Sequence, residues 1–166
     1  LIKTNSSGDT LWTKTFEGTG YDEGYSVQQT TDGGYIIGGR KSLSNTDSDV
    51  YLIKTDGSGN EQWTKTLGGT SDDVGNNGKQ TTDGGYIITG WTESFGNGLR
   101  DVYLIKTDGS GNELWNKTFG GTDNDMGHRI QQTTDGGYII IGRTESFGNG
   151  NWDVYLIKTD GNGNVT

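Results

Sequence analysis

The sequence predicts an all-β chain of β-propeller blades, with four antiparallel strands in each repeat of about 52 residues and about three repeats present. Three observations predict it. Nine residues, Asp-Val-Tyr-Leu-Ile-Lys-Thr-Asp-Gly, run from Asp49 to Gly57, from Asp101 to Gly109 and from Asp153 to Gly161, at a spacing of 52. A second block, Gln-Thr-Thr-Asp-Gly-Gly-Tyr-Ile-Ile, recurs at Gln29, Gln80 and Gln132. Finally, no segment has the 3.6-residue period or the length of a helix, while short apolar runs alternate with Gly-rich turns. The repeat units run approximately over 1–51, 52–103 and 104–155, with 156–166 starting a fourth.

The elements follow in chain order. Leu1-Ile2-Lys3-Thr4 is a shortened copy of the Leu-Ile-Lys-Thr core, and Asn5 to Asp9 is a turn. Thr10 to Phe16 is a strand matched by Glu61 to Leu67 and Glu113 to Phe119, with Trp, Lys and an apolar residue on one face. Its alternating Thr and Lys suit a sheet edge, where Lys discourages pairing with a foreign strand. Gly-rich loops come next, over Glu17 to Gly24, Gly68 to Gly75 and Gly120 to Gly127. Half-polar strands are expected at Tyr25 to Thr31, Asn76 to Thr82 and His128 to Thr134. Asp-Gly-Gly then turns the chain, because Gly takes positive φ without a Cβ clash. The strands from Tyr35, Tyr86 and Tyr138 have consecutive apolar residues and are expected to be buried on both faces. A connecting loop, seen as Thr92 to Gly98 and Thr144 to Gly150, leads into Asp-Val-Tyr-Leu-Ile-Lys; counted up to that Asp, the first copy, Lys41 to Ser48, is one residue shorter. There Val and Leu point one way, Tyr and Ile the other. One such sheet cannot bury both faces alone; copies stacked face to face can. A β-solenoid would need two rungs per 52 residues, and immunoglobulin-like domains need about 100 residues each.

Composition narrows function. The chain has 13 basic and 22 acidic residues, a net charge of −9, and neither Cys nor Pro. A nucleic-acid partner would require a basic face, so none is expected. No apolar run approaches the ~20 residues of a membrane helix, and no membrane insertion is expected. Without Cys there are no disulfides and no thiolate zinc sites. The chain opens partway through a repeat, so an upstream segment is expected and the lack of a signal peptide is uninformative.

Tyr35-Ile36-Ile37-Gly38-Gly39, a loop, Asp49-Val50-Tyr51-Leu52-Ile53, a turn and then Trp63 resemble the kelch repeat. Asp56-Gly57-Ser58-Gly59-Asn60-Glu61-Gln62-Trp63 resembles the Asp…Gly…Trp signature of quinoprotein propellers, one residue short. Nearly the whole chain resembles the glycine-rich β-propeller repeats (SBBP-like) of large secreted or cell-surface prokaryotic proteins. Those carry Gly-Gly-Thr, Asp-Gly-Gly-Tyr and Asp-Val-Tyr-Leu-Ile-Lys-Thr-Asp in this order. The resemblance implies an extracellular or cell-surface module; it does not imply an enzyme, because fold is not function.

Candidate chemistry is sparse. The copies diverge most at Tyr25-Ser26-Val27-Gln28, Asn76-Asn77-Gly78-Lys79 and His128-Arg129-Ile130-Gln131. Tyr25, Ser26, Asn76, Asn77, Lys79, His128 and Arg129 are therefore the candidate ligand-facing residues; drift at solvated positions explains the same divergence. Asp56 to Asn60 and Asp160 to Asn164 space oxygens as calcium loops do, but lack the central Gly and terminal Glu of an EF-hand, and hairpin turns account for them. Stability is accordingly expected not to depend on calcium, and no metal or cofactor is assigned. Asp22, Asp73 and Asp125 recur two residues before a Gly, as cation ligands or as caps of their own loops. Asn5, Asn116 and Asn164 begin glycosylation sequons, about as many as chance supplies. No nucleophile elbow, Cys–His pair or phosphate loop is present.

The expected function is a non-catalytic extracellular or cell-surface module, a scaffold or adhesion surface. It would meet protein or carbohydrate through loops at one end of the ring. Two alternatives stand beside it. One is a polysaccharide-degrading propeller enzyme with acidic residues at the channel mouth; the other is a purely structural repeat that self-assembles. Three blades are too few to close a ring, so the expected neighbours are further repeats of a parent chain or a second copy.

Overall fold

In the computed structural model the described residues are 1–16, 18, 20–44 and 47–166, the side chains of Leu43 and Ser44 excepted. Glu17 and Thr19 of the first Gly-rich loop, and Asn45 and Thr46 of the first connecting loop, lie outside them. The described residues form thirteen antiparallel strands in four small sheets, with no helix. A hairpin comes first, β1 (Ile2–Thr4) and β2 (Thr10–Thr13). Sheet one is the meander β3 (Asp22–Gln29), β4 (Tyr35–Ser44), β5 (Asp47–Thr55) and β6 (Glu61–Leu67). Sheet two repeats it with β7 (Asp73–Gln80), β8 (Tyr86–Thr92), β9 (Asp101–Thr107) and β10 (Glu113–Phe119). Sheet three has β11 (Asp125–Gln132), β12 (Tyr138–Thr144) and β13 (Asp153–Thr159).

Apolar alternation on the strands decides how the sheets meet. Ile36, Val50 and Leu52 of sheet one pack against Tyr86, Ile88, Tyr103 and Ile105 of sheet two. On the other face of the same strands, Ile37, Tyr51 and Ile53 meet Leu1 and Phe16 beside the hairpin. Sheet two does the same one repeat on, with Ile87, Val102 and Leu104 against Ile130, Tyr138, Ile140 and Ile157. The middle strands of sheets one and two are thus apolar on both faces because both faces are covered, whereas on sheet three Ile141, Val154 and Leu156 are exposed.

The Asp-Gly-Gly turns are built alike. Gly33, Gly84 and Gly136 each have φ near +83°, and Thr30 N–H donates to Gly34 O at 2.9 Å. Asp32 caps this turn through Gly34 N–H (3.0 Å) and receives the buried Lys54 ammonium at 2.8 Å. Lys54 also donates to Thr55 O and Gln62, so its charge is buried with partners. Lys106–Asp83 and Lys158–Asp135 repeat the pair at 2.9 Å.

Several boundaries differ from the sequence reading; β2 ends at Thr13, short of the expected Phe16. The first strands begin at Asp22, Asp73 and Asp125, inside what reads as Gly-rich loop, because a bulge after Gly24, Gly75 and Gly127 lets pairing continue across the glycines. In the first copy β4 runs on to Ser44 and β5 starts at Asp47, where the later copies have the Ser-Phe-Gly-Asn-Gly loop.

Candidate functional site

The bulges explain the divergent positions. Register skips Tyr25 between Gly24 and Ser26, Asn76 between Gly75 and Asn77, and His128 between Gly127 and Arg129. These three are the extra residues of the bulges, which pairing leaves free to vary. The Tyr25 hydroxyl donates to Glu23, which also pairs with Arg40 at 2.8 Å. Burial, then the Glu23 hydrogen bond, pushes the Tyr25 hydroxyl up to about 12. Tyr25 first and Arg40 next hold Glu23 below the usual carboxylate range. Asn76 donates to Gly127 O at 2.8 Å, across to sheet three.

Two of the other candidates also clamp neighbouring sheets, as do glutamines beside them. The Ser26 hydroxyl accepts from Gly78 N–H at 3.0 Å, and the buried Asn77 carbonyl accepts from Ile130 N–H at 3.1 Å. Gln28 accepts from Gln80 N–H, Gln80 from Thr31 N–H and Gln132 from Thr82 N–H. Lys79 shares a strand face with Asn77, opposite Ile87. His128 is half-buried, and burial, then Arg143 and Arg129, hold its imidazole below its ordinary value; Arg129 is exposed. Of the seven candidates, Ser26, Asn76 and Asn77 hold the backbone of the next sheet and Tyr25 braces its own.

The sequon residues lie in local hydrogen bonds. Asn5 caps its turn by accepting from Ser7 and Asp9 N–H, Asn116 donates to Glu113, and Asn164 donates to Asp160. Asp56 accepts from the N–H groups of Ser58 and Asn60 and from the Asn60 amide, so both of its oxygens are taken within its turn. Asp160 does the same with Asn162 and Asn164.

A cavity of about 670 Å³ lies between the hairpin and sheet one, lined by Leu1, Phe16, Val27, Ile37 and Tyr51 with Asp22 and Glu23 at its polar side.

The feature that sequence reading missed sits at the opposite ends of the strands from the Lys–Asp pairs. Asp49 of β5 and Asp73 of β7 come from successive sheets, yet both approach Gly68. A side chain beginning at Gly68 would meet Asp49 Oδ1 at 2.0 Å and Asp73 Oδ2 at 2.6 Å. Asp101 of β9 and Asp125 of β11 meet above Gly120 at the same 2.0 and 2.6 Å. Asp49, Asp73, Asp101 and Asp125 are only 7, 0, 2 and 0 % exposed. Asp73 Oδ2 accepts from Gly69 N–H and Ser94 Oγ at 2.8 Å; Asp125 Oδ2 accepts from Gly121 N–H and Ser146 Oγ. Loop capping is thus one role of these repeated aspartates. It leaves Asp49 Oδ1, Asp73 Oδ1 and Asp125 Oδ1 buried without a donor. Burial, then Asp73, Asp47 and Asp72, push the Asp49 carboxyl up to about 6. Burial first, then Glu113, Asp73 and Asp49, raise the nearby Tyr103 hydroxyl; Tyr155 is raised by burial, Asp125 and Asp101. Among the described residues no three acidic or imidazole groups converge as a metal set.

The Lys–Asp turns carry a pH dependence. Lys54, Thr30 and Gly34 lower Asp32; Thr133, Lys158 and Gly137 lower Asp135; at Asp83, burial opposes and Thr81, Lys106 and Gly85 outweigh it. A carboxyl depressed in the folded state contributes stability above its unfolded value near 3.8, lost as pH falls through the folded value. The melting temperature is expected to fall steeply between pH 4 and 2. A flat profile across that range, followed by circular dichroism, would show that the three pairs contribute nothing.

No family model matches the chain. Among curated proteins it is similar to regulatory protein FlaEY of Caulobacter vibrioides, 26 % identical over 160 residues that cover 82 % of this chain and 17 % of that protein. The chain therefore spans well under two thirds of that relative's length.

Proposed function

We propose that the four sheets are successive blades of a β-propeller and that the chain is a non-catalytic extracellular or cell-surface module, a scaffold or adhesion surface for protein or carbohydrate. One observation carries this reading: the polar residues that recur from copy to copy are engaged in holding turn to strand and sheet to sheet. Lys54, Lys106 and Lys158 close the turns, and the recurring Gln80 and Gln132 reach the preceding sheet by accepting from Thr31 and Thr82 N–H. The resemblance to secreted glycine-rich propeller repeats supports the compartment. A polysaccharide hydrolase needs an acid with a raised pKa beside a second carboxylate in an open cleft. In the one cavity described above, Glu23 is instead held ionised by Tyr25 and Arg40. Immobilised chain exposed to a panel of polysaccharides and cell-surface proteins should retain a partner without releasing new reducing ends. Release of reducing ends that Asp22→Asn abolishes would overturn the non-catalytic reading.

The partner of the sheet faces is proposed to be another repeat of the same kind, in a parent chain or a second copy. Val154 and Leu156 on sheet three are 78 and 61 % exposed, whereas their counterparts Val102 and Leu104 are 1 and 0 % exposed beneath the next sheet. Apolar surface of this kind drives association. Light scattering on the isolated 166-residue chain at micromolar concentration should give a mass above that of one chain. A compact, stable monomer would count against blades that need neighbours and favour an open, solenoid-like stack.

A further inference from the structure

The two ends of the Asp-Val-Tyr-Leu-Ile-Lys strand are treated differently. At the Lys end, each of Asp32, Asp83 and Asp135 has an ammonium partner within 2.9 Å. At the Asp end, two carboxylates from successive sheets converge with, among the described residues, no cationic partner. Lone pairs without a donor in a buried site cost free energy that a bound cation recovers.

We propose that the junctions of sheet one with sheet two and of sheet two with sheet three each hold one hard divalent cation of the calcium class, between Asp49 and Asp73 in the first and Asp101 and Asp125 in the second. Geometry and chemistry select the ligand. The unpartnered oxygen of Asp49 is the one directed at Gly68, towards the Asp73 carboxylate, and Asp73 and Asp125 each keep a spare buried oxygen. The N–H and hydroxyl groups that donate to one oxygen of Asp73 and of Asp125 fix where each carboxylate lies. Gly68 and Gly120 let the two carboxylates of each pair approach, since a Cβ at either would overlap a carboxylate oxygen. Oxygen-only donors favour Ca²⁺ or Mg²⁺ over Zn²⁺ or Cu²⁺. With two carboxylates per site, water and main-chain carbonyls complete the shell, and affinity falls in the weak class of about 10⁻⁴–10⁻³ M. The expectation of calcium independence came from Asp56 and Asp160, whose oxygens are taken by their own turns; the junction aspartates are different residues.

The test uses the whole chain, freed of divalent ions with EDTA, at pH 7.5 and constant ionic strength. Calcium chloride at 10 mM should raise the melting temperature by about 6–20 °C, the linkage shift of two such sites, which sodium chloride does not reproduce. Terbium, a calcium-sized hard ion, should show emission sensitised by Tyr103 and Tyr155 and displaced by millimolar calcium. Asp49→Asn removes no hydrogen bond among the described residues and should cut that emission by about half; Asp49→Asn with Asp101→Asn should nearly abolish it. Asp56→Asn should leave it unchanged. The proposal is overturned if calcium gives no shift beyond the sodium control, if no sensitised emission appears, or if the double variant binds like the parent.

Discussion

Trp63→Ala is expected to destabilise the fold by about 3–5 kcal/mol, the range for truncating a packed Trp, and to lower the melting temperature by roughly 6–20 °C. The side chain sits on β6 at the rim of the cluster between sheets one and two. Its ring meets Tyr86 of the next sheet edge-on, with centroids 5.7 Å apart and planes at 66°. Above it passes the turn of sheet two, where a Cβ on Gly111 would come within 2.8 Å of the indole. Lys65, two residues on, lies along the same turn and donates to Asn112 at 2.9 Å. One residue therefore touches an adjoining strand and the far turn of the next sheet together, and alanine would leave a cavity at both contacts. Trp12 on Tyr35 and Gly59, and Trp115 on Tyr138 and Gly163, repeat the arrangement. Binding to any partner should be untouched. A Trp63→Ala chain that melts like the parent but loses its partner would assign the indole to recognition instead of packing.

The same contacts show what the sequence could reveal. Trp at one place in every copy reads directly as a packing residue, because its neighbours, Tyr86 and Gly111, are themselves repeated. Val50 and Leu52 facing one sheet, Tyr51 and Ile53 the other, follow from a period of two. The bulge is harder to foresee. Asp22 to Gly24 look like the end of a loop, with the strand expected from Tyr25, and only the register with Lys41, Arg40 and Gly39 shows that the strand has already begun. Divergence at Tyr25, Asn76 and His128 therefore suggested a ligand face where the structure has the one residue per strand that pairing does not constrain. The acid pairs escaped for another reason. Asp49 and Asp73 are 24 residues apart, as are Asp101 and Asp125; the recurrence is visible, but each partner lies in a different sheet and nothing local brings them together. A search for carboxylates recurring at fixed offset across repeat boundaries would have found them.

Gly90→Ala is expected to be as damaging as loss of the Trp, at about 3 kcal/mol or more, although it adds only a methyl group. Gly90 pairs with Gly75 beside the Asn76 bulge. A Cβ there would lie 1.7 Å from Val74 O and 2.8 Å from Val74 C, with Asn76 N at 3.1 Å. All three are backbone atoms, so no rotamer change relieves the overlap; β7 must move away from β8. That movement is resisted from both sides. Ser26 of sheet one holds Gly78 N–H, while Asn76 and Asn77 hold Gly127 O and Ile130 N–H of sheet three. Gly39 and Gly142 have the same contact at 1.8 and 1.9 Å, so the requirement is a property of the repeat. Gly84→Ala separates space from conformation. Gly84 has φ +83° with nothing within 4 Å of a Cβ, so alanine there costs only the left-handed strain of about 1–2 kcal/mol. Urea denaturation of the two variants should rank Gly90→Ala well below Gly84→Ala. The reverse order would mean that β7 can leave β8 at little cost, and that the bulge does not fix how the sheets are joined.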